Sequence, residues 1–388
     1  MTDTGATLPT STDVLIIGAG PVGMTLALAL ANSPLRVLLL DRQPNGAWLG
    51  DPRALALSHG SRQLLERFDA WNQAAATPIR TIHVSQRGGF GRTQIDSVDY
   101  GIPALGYVIR YRDLLTTLHA QIRPEQLIAP CSITKMEVGQ DNATVTINHQ
   151  GTARDITARV VVHAEGTPQD DPDVAVRDYG QHAIVCEVRP SSPHGNRAWE
   201  RFTPDGPLAL LPLGDDYAVV FTVPPEKASA ILKKNDTDFL TALNSQFGGR
   251  LRLVSTGPRA SFPLALRLRK RLTRDRQVWL GNTAQTLHPV SGQGFNLGLR
   301  DAWELAETLL GSRCEDPGQS TPLMAYARGR QTDRLGSALF TDGIVRLFSN
   351  DLPPLGALRG LGLLALDLAP PLRHFVARRM IWGARAWL

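Results

Sequence analysis

Cysteine is scarce: Cys131, Cys186 and Cys314 are the only three in 388 residues, odd in number and far apart. That argues against a disulfide framework, and the missing close Cys/His spacing excludes a zinc site, so no metal is expected. We read the three as reduced thiols of a cytoplasmic protein. In the C-terminal tail from Leu352, charges interrupt every window near the roughly 18 to 20 apolar residues that a membrane-spanning helix needs. A basic excess is modest, at a net charge of +5. No RNP, zinc-finger or helix-turn-helix pattern accompanies the arginines, so nucleic acid is not an expected partner. The polar stretch Met1 to Thr12 has no basic start followed by an apolar core, which is the pattern of a loose tail rather than a secretory signal. Ser/His/Asp, Cys/His and paired-carboxylate constellations suited to hydrolysis are missing, as are internal repeats and low-complexity segments. Hydrophobic residues at 43% and charged residues at 20% place the chain among globular proteins with a substantial core. Its length suits two domains sharing an interface.

Order along the chain is legible in outline. Val14 to Ile17 is a short apolar strand pattern, followed by glycines and then by helix formers from Met24 to Ala31. Ser33-Pro34 ends that helix, and Arg36 to Leu40 completes a βαβ unit with two buried parallel strands. Thr144 to Ile147 and Arg159 to Val162 read as strands, the second leading into Ala164-Glu165-Gly166. From Ile184 to Val223, β-prone pieces such as Leu208 to Leu213 and Tyr217 to Val223 alternate with Pro and Gly, which predicts an antiparallel sheet in an inserted domain. Val278 to Leu280 returns to the buried-strand pattern, and Asn296 to Leu310 is helical.

Gly18-Ala19-Gly20-Pro21-Val22-Gly23 is a G-x-G-x-x-G set between strand and helix. Gly18 permits the tight turn, Gly20 lets a pyrophosphate approach backbone N–H groups, and Gly23 lets helix and strand pack closely. The helix N-terminus then faces the phosphates. Asp41 ends the second strand where a carboxylate can accept from both ribose hydroxyls, which favours an unphosphorylated ribose; Arg42 adjoins it and is grouped with the cofactor-binding residues.

A second signal is Gly281-Asn282-Thr283-Ala284-Gln285 followed by His288-Pro289-Val290-Ser291-Gly292-Gln293-Gly294-Phe295-Asn296. It resembles the second flavin motif of the class A flavoprotein monooxygenases, the p-hydroxybenzoate hydroxylase type, which reads G-D and then P-x-x-G-Q-G-x-N before a long helix. The resemblance implies FAD, with Gly281 and Asn282 along the ribityl chain and Pro289, Gly292, Gly294, Phe295 and Asn296 along the isoalloxazine edge. Physical chemistry agrees, because glycines permit close backbone approach and a helix N-terminus stabilises negative charge on a reduced flavin. Within the class, the likeness is nearest to the ubiquinone-pathway hydroxylases that act on 2-polyprenyl-6-methoxyphenols, and it covers nearly the whole chain. Arg53 to Ser58, Arg201-Phe202-Thr203, Gly206 to Pro212, Phe262 to Leu266 and Gly281 to Gly298 carry it.

That resemblance implies an α/β fold: an FAD-binding Rossmann-like domain with an inserted antiparallel-sheet substrate domain and a helical C-terminal tail. The expected division is 12–80, 105–182 and 270–345 for FAD, 81–104 and 183–269 for substrate, and 346–388 for the tail. It further implies flavin contact by Arg53 and phosphate proximity for Arg112, although arginines are more often solvated surface charges. Departures from the pattern are Asn282 for the usual Asp, Gln285 for a common His, and Glu165 in the A-D-G motif. An Asn carbonyl still accepts a hydrogen bond, and Glu165 bears on handling of the reductant. Lone His288 beside a proline reads as structural, because flavin and oxygen do the bond-making.

The implied reaction is hydroxylation of a lipophilic prenylphenol in ubiquinone biosynthesis, with NAD(P)H reducing FAD and O2 adding at flavin C4a as a hydroperoxide. The mostly apolar strands Leu208 to Leu213 and Phe262 to Leu266 are expected to line a dry pocket. Two other readings stand beside it: a non-hydroxylating flavoprotein subunit of a membrane-associated complex of quinone-biosynthesis proteins, and a flavin reductase or dehydrogenase acting on a prenyl lipid. The segment Arg267, Arg269, Lys270, Arg271, Arg274 and Arg276 is expected to be a solvated loop, with NADPH phosphate or anionic lipid as its functional alternative. From Leu352 the tail mixes leucines with Arg359, Arg373, Arg378, Arg379 and Arg385. One reading lays it on the cytoplasmic membrane with Trp382 or Trp387 in lipid; the other makes it a core-packing helix or oligomer contact.

Overall fold

A computed structural model describes residues 8–89, 91–168, 170–311, 315–348 and 353–383. The strand Ser11–Ile17 is central to an eight-stranded sheet, with Val37–Leu40 on one side and Thr152–His163 on the other, both parallel to it. Val14, Leu15 and Ile16 are fully buried, as expected of a parallel strand covered on both faces. The helices Pro21–Ala29, Tyr111–Gln121 and Gln293–Leu310 cover one face, and their apolar residues join Val14, Ile16, Leu39 and Val162 in the largest core. Strands Ser132–Val138 and Ala143–His149 supply a second core on the opposite side.

A nine-stranded sheet forms the second half of the molecule. Strand Val174–Pro190 runs antiparallel to both Asp216–Val223 and Ala260–Arg269, and Gly206–Leu213 and Arg197–Thr203 extend the sheet. Thr81–Gln86 and Arg92–Asp96 join its far edge. The boundary drawn at 182/183 therefore falls inside a single strand. Two features went unread in the sequence: helices Pro225–Leu232 and Asp236–Ser245 pack Ala228, Phe239 and Leu243 on the outer face of this sheet. A three-stranded sheet, Ala54–Ser58 with Gly106–Arg110 and Thr77–Ile79, lies between the halves.

Two expectations need correction. Ser11 already begins the first strand, and buried Thr12 donates to Arg36 O at 2.6 Å, so the N-terminal tail ends sooner than its polarity suggested. The arginine-rich segment is not a solvated loop throughout. Arg269 is 5% exposed, ion-pairs with Asp171 and lies 4.5 Å over the Trp279 ring, while Arg276, 7% exposed, pairs with Asp316 at 2.9 Å. Carboxylate partners make those burials tolerable. Cys131 and Cys186 are buried and free, and Cys314 lies outside the described residues.

The C-terminal segment forms two helices, Pro353–Leu368 and Pro370–Trp382. Ala377 and Ile381 pack on Ile95 and Leu105, and Trp382 meets His59 edge to face at 6.4 Å. Trp382 therefore faces protein, not lipid; Arg385 and Trp387 lie outside the described residues. No helix among those residues is long and apolar enough to cross a membrane.

Candidate cofactor and substrate site

The three glycine-bearing motifs converge although up to 280 residues separate them. Gly18 has φ +103°, and a Cβ there would lie 2.5 Å from Ala164 O, so the first turn abuts the Ala164-Glu165-Gly166 segment directly. A Cβ on Gly298 would come 2.9 Å from Val22 Cγ2 and 3.2 Å from Gly281 Cα, so the second motif closes onto the first helix through Val22. A side chain at Gly18 would meet backbone, and one at Gly298 would force Val22 and Gly281 to shift. Helix Pro21–Ala29 is capped by Gly20 and helix Gln293–Leu310 by Gly292, in each case with no side-chain cap bond. Both N-termini thus present free N–H groups and a partial positive charge toward the groove.

A cavity of about 240 Å³ opens beside Ala19 and Gly20 and is walled by Asp41, Gln43, Trp48, Asp51, Tyr111 and Leu127. Asp41 Oδ2 accepts from Ala19 N and Oδ1 from Gln43 N, each at 2.7 Å. The carboxylate shapes the turn and keeps lone pairs facing the cavity. Tyr111, which the sequence did not single out, sits at the mouth with its hydroxyl 4.0 Å from the point where a Gly20 Cβ would lie. Burial pushes its phenol up. Arg53 stacks over this ring at 4.6 Å and pairs with Asp51 at 2.6 Å. Burial opposes the Asp51 carboxylate, but the bonds from Arg53 outweigh it and hold it below the usual carboxylate range. Arg42 is exposed. Arg112 is half exposed, meets the Asp113 carboxylate at 3.7 Å, and lines neither this cavity nor the next.

At the second motif the arrangement is tighter. Asn296 uses both ends internally: Nδ2 donates to Ala56 O and Gly292 O at 3.0 and 2.7 Å, and Oδ1 accepts from Ser58 N and Ser61 Oγ at 2.8 and 2.7 Å. It clamps residues 56–61 to the motif. Asn282 is exposed, and Glu165, 47% exposed, meets His163 Nδ1 at 3.2 Å. Phe295 packs against the main core. His288 is 1% exposed; burial drops its pKa to about 4, and Nδ1 accepts from Val290 N at 3.1 Å. A neutral imidazole capping the Pro289 turn is a structural role, in line with the sequence reading.

Behind the motif lies a network that sequence reasoning missed. Asp301 Oδ2 accepts from Gly281 N at 3.0 Å and Gln285 Nε2 at 2.6 Å, while its Oδ1 accepts from Arg330 Nε at 2.7 Å. Arg330 is fully buried and also meets Glu304 at 2.7 Å and Asp333 at 3.1 Å. Burial works against its charge, yet the carboxylates and Tyr326 prevail and raise its pKa. Helix Ser320–Phe348 thereby fixes the backbone of Gly281 from outside the site.

A smaller cavity of about 80 Å³ adjoins Gly292, Gln293 and Asn296. Apart from Ser58, its other walls are apolar: Ile79, Ile82, Ile95, Leu105, Met380 and Ile381 among them. Gln293 Nε2 donates to Met380 O at 3.1 Å, which ties the C-terminal helix to the motif. Neither expected lining strand, Leu208 to Leu213 or Phe262 to Leu266, supplies a wall of this cavity. Leu211 packs in the inner cluster with Ile82 and Ala198, whereas Leu208 and Leu210 face the outer core.

Two uncapped helix N-termini, glycine-lined approaches and a carboxylate at the ribose end fit an extended dinucleotide better than a lone phosphate. Comparison with known proteins agrees. Residues 11–332 match the family described as FAD binding domain. Ubiquinone hydroxylase UbiL of Rhodospirillum rubrum is 33% identical over 94% of this chain and 88% of its own length. The 3-demethoxyubiquinol 3-hydroxylase of Escherichia coli is 28% identical over 94% and 96%. In fold, p-nitrophenol 4-monooxygenase PnpA of Pseudomonas putida superposes with a TM-score of 0.77, covering 97% of this chain and all of its own at 16% identity. With a relative so similar over its length and a family match over most of its residues, the chain belongs to the FAD-dependent class A aromatic hydroxylases of ubiquinone biosynthesis.

Proposed function

We propose that the chain hydroxylates a polyprenylated phenol of the 2-polyprenyl-6-methoxyphenol type. The observation that carries this choice is the apolar cavity against Gly292 and Gln293, whose isoleucine, leucine and methionine walls suit a ring bearing a prenyl chain. FAD, when bound, carries electrons from NAD(P)H to O2 and supplies an electrophilic oxygen for an electron-rich ring carbon. The protein's part is orientation and exclusion of water. Gly18, Gly20, Gly23 and Asp41 would hold the adenosine diphosphate half, with Arg53 over Tyr111 at the cavity mouth. Gly281, Pro289, Gly292 and Gly294 would lie along the ribityl chain and ring, with the helix N-terminus at Gln293 favouring negative charge. Residues 81–104 and 183–269 form the substrate half of the proposed domain division.

Leu361, Leu364, Leu368, Leu372 and Phe375 are exposed on the C-terminal helices. They support a peripheral contact with a membrane surface, where a prenylated substrate partitions. Purified holoenzyme given NADH or NADPH, a short-chain 2-prenyl-6-methoxyphenol and 18O2 is expected to yield product carrying one labelled oxygen. Flavin reduction without labelled product, at any prenyl length, would favour the non-hydroxylating subunit instead.

A further inference from the structure

The inner face of the nine-stranded sheet carries a carboxyl group that nothing above uses. In strand Arg197–Thr203 alternation points Ala198, Glu200 and Phe202 one way and Trp199 the other, against Phe247 of the outer core. Ala198 packs with Ile79, Val108 and Ile82, residues of the side facing the FAD-binding half. Phe202 packs with Val84 and with Val290 of the second motif. Glu200 stands between these two clusters, paired in register with Val84 on one side and Ala209 on the other. Ile82, one step along the same inner face, is a wall of the apolar cavity.

No counter-charge meets it among the described residues. Glu200 is half-buried, but its Oε1 is sealed from solvent and has no hydrogen-bond partner among the described residues, and desolvation pushes the carboxyl up to about 8. The contrast with Asp301 and Asp333 is sharp, since both of those buried acids are paired with arginine. An acid oxygen sealed from water without a partner costs stability that a purely structural position would shed by becoming apolar. A neutral carboxyl can both donate to and accept from a single hydroxyl.

We propose that Glu200 is the substrate-recognition residue for the ring hydroxyl, its carboxyl hydrogen-bonding the free phenol and thereby selecting it over the O-methylated ring. This rests on the phenol reading above and adds its specificity determinant. A site built to bond a hydroxyl leaves a polar group unpaired when the analogue lacks it, and so rejects that analogue strongly.

The test uses flavin-loaded enzyme titrated with 2-prenyl-6-methoxyphenol and with its methyl ether, binding being read from the flavin absorbance change. Wild type is expected to prefer the phenol by roughly 10- to 100-fold. Glu200→Leu should bring that ratio near one by weakening phenol binding while leaving the ether's unchanged. Glu200→Gln, which preserves shape and guards against misfolding of the leucine variant, should lower it by roughly threefold or more. Bound flavin should be retained by both. An undiminished ratio in either flavin-retaining variant overturns the role of Glu200 alone. A wild type that binds both equally likewise overturns the role of Glu200 alone, whereas one that binds neither overturns the phenol reading together with it.

Discussion

Removing Arg330 is the most informative perturbation of the scaffold behind the second motif. Arg330→Met keeps most of the side-chain volume but withdraws the cation that meets Asp301 at 2.7 Å, Glu304 at 2.7 Å and Asp333 at 3.1 Å. Asp333 still has Arg300 at 2.7 Å, whereas Asp301 is 2% exposed and loses its arginine. Breaking a buried pair by deleting one partner costs about 3–5 kcal/mol. At roughly 2 °C per kcal/mol for a large chain, Tm should fall by about 6–10 °C at pH 8. Calorimetry should show that deficit, and flavin retention should drop because Asp301 holds Gly281 N. A deficit under about 2 °C would refute the claim that this network carries the motif.

Gly23→Ala would set a Cβ 2.0 Å from Gly18 O, backbone that cannot swing aside. Helix and turn must separate, costing about 1–3 kcal/mol, and the purified protein should be nearly colourless while apoprotein circular dichroism is retained. Asp41→Ala frees Ala19 N and Gln43 N and should weaken FAD binding by roughly 10-fold or more, measured by flavin fluorescence quenching. His288, whose folded-state pKa of about 4 lies below its ordinary 6.5, contributes stability that is complete above pH 6.5 and is lost as pH falls toward 4. The full contribution is up to about 3 kcal/mol. The Tm difference between wild type and His288→Asn should therefore shrink between pH 7 and pH 5, and a constant difference would contradict a neutral buried ring.

Local encoding explains what could be read in advance. Gly18 to Gly23 and Gly281 to Asn296 each specify a turn and a helix start within a few residues, so their geometry needs no knowledge of the rest of the chain. Arg269 and Arg276 failed for the opposite reason. Burial beside Trp279 and Asp316 arises from segments distant in sequence, and nothing in a run of arginines distinguishes a paired, enclosed guanidinium from a solvated one. Asp301 and Arg330 were invisible for the same cause; a charged pair 29 positions apart on two helices has no sequence signature. Thr81–Gln86 gave a better chance. Its buried and half-buried positions alternate at period two, a strand signal, though its parallel partner lies beyond residue 196.

The two readings of the C-terminal segment, packed against protein or laid on a surface, were rivals only while its helices had no assigned faces. Ala377 and Ile381 point inward to Ile95 and Leu105, and Met380 O accepts from Gln293, so one face of Pro370–Trp382 is a wall of the apolar cavity. Leu372 and Phe375 lie on the other face, 47% and 46% exposed. Anything that engages the outer face therefore acts on a helix whose inner face touches the second motif through the Gln293 hydrogen bond and apolar contacts. The cavity wall and the exposed apolar face therefore belong to the same 13-residue helix. One wall of the cavity thus comes from a C-terminal segment outside residues 11–332, the span that matches the family.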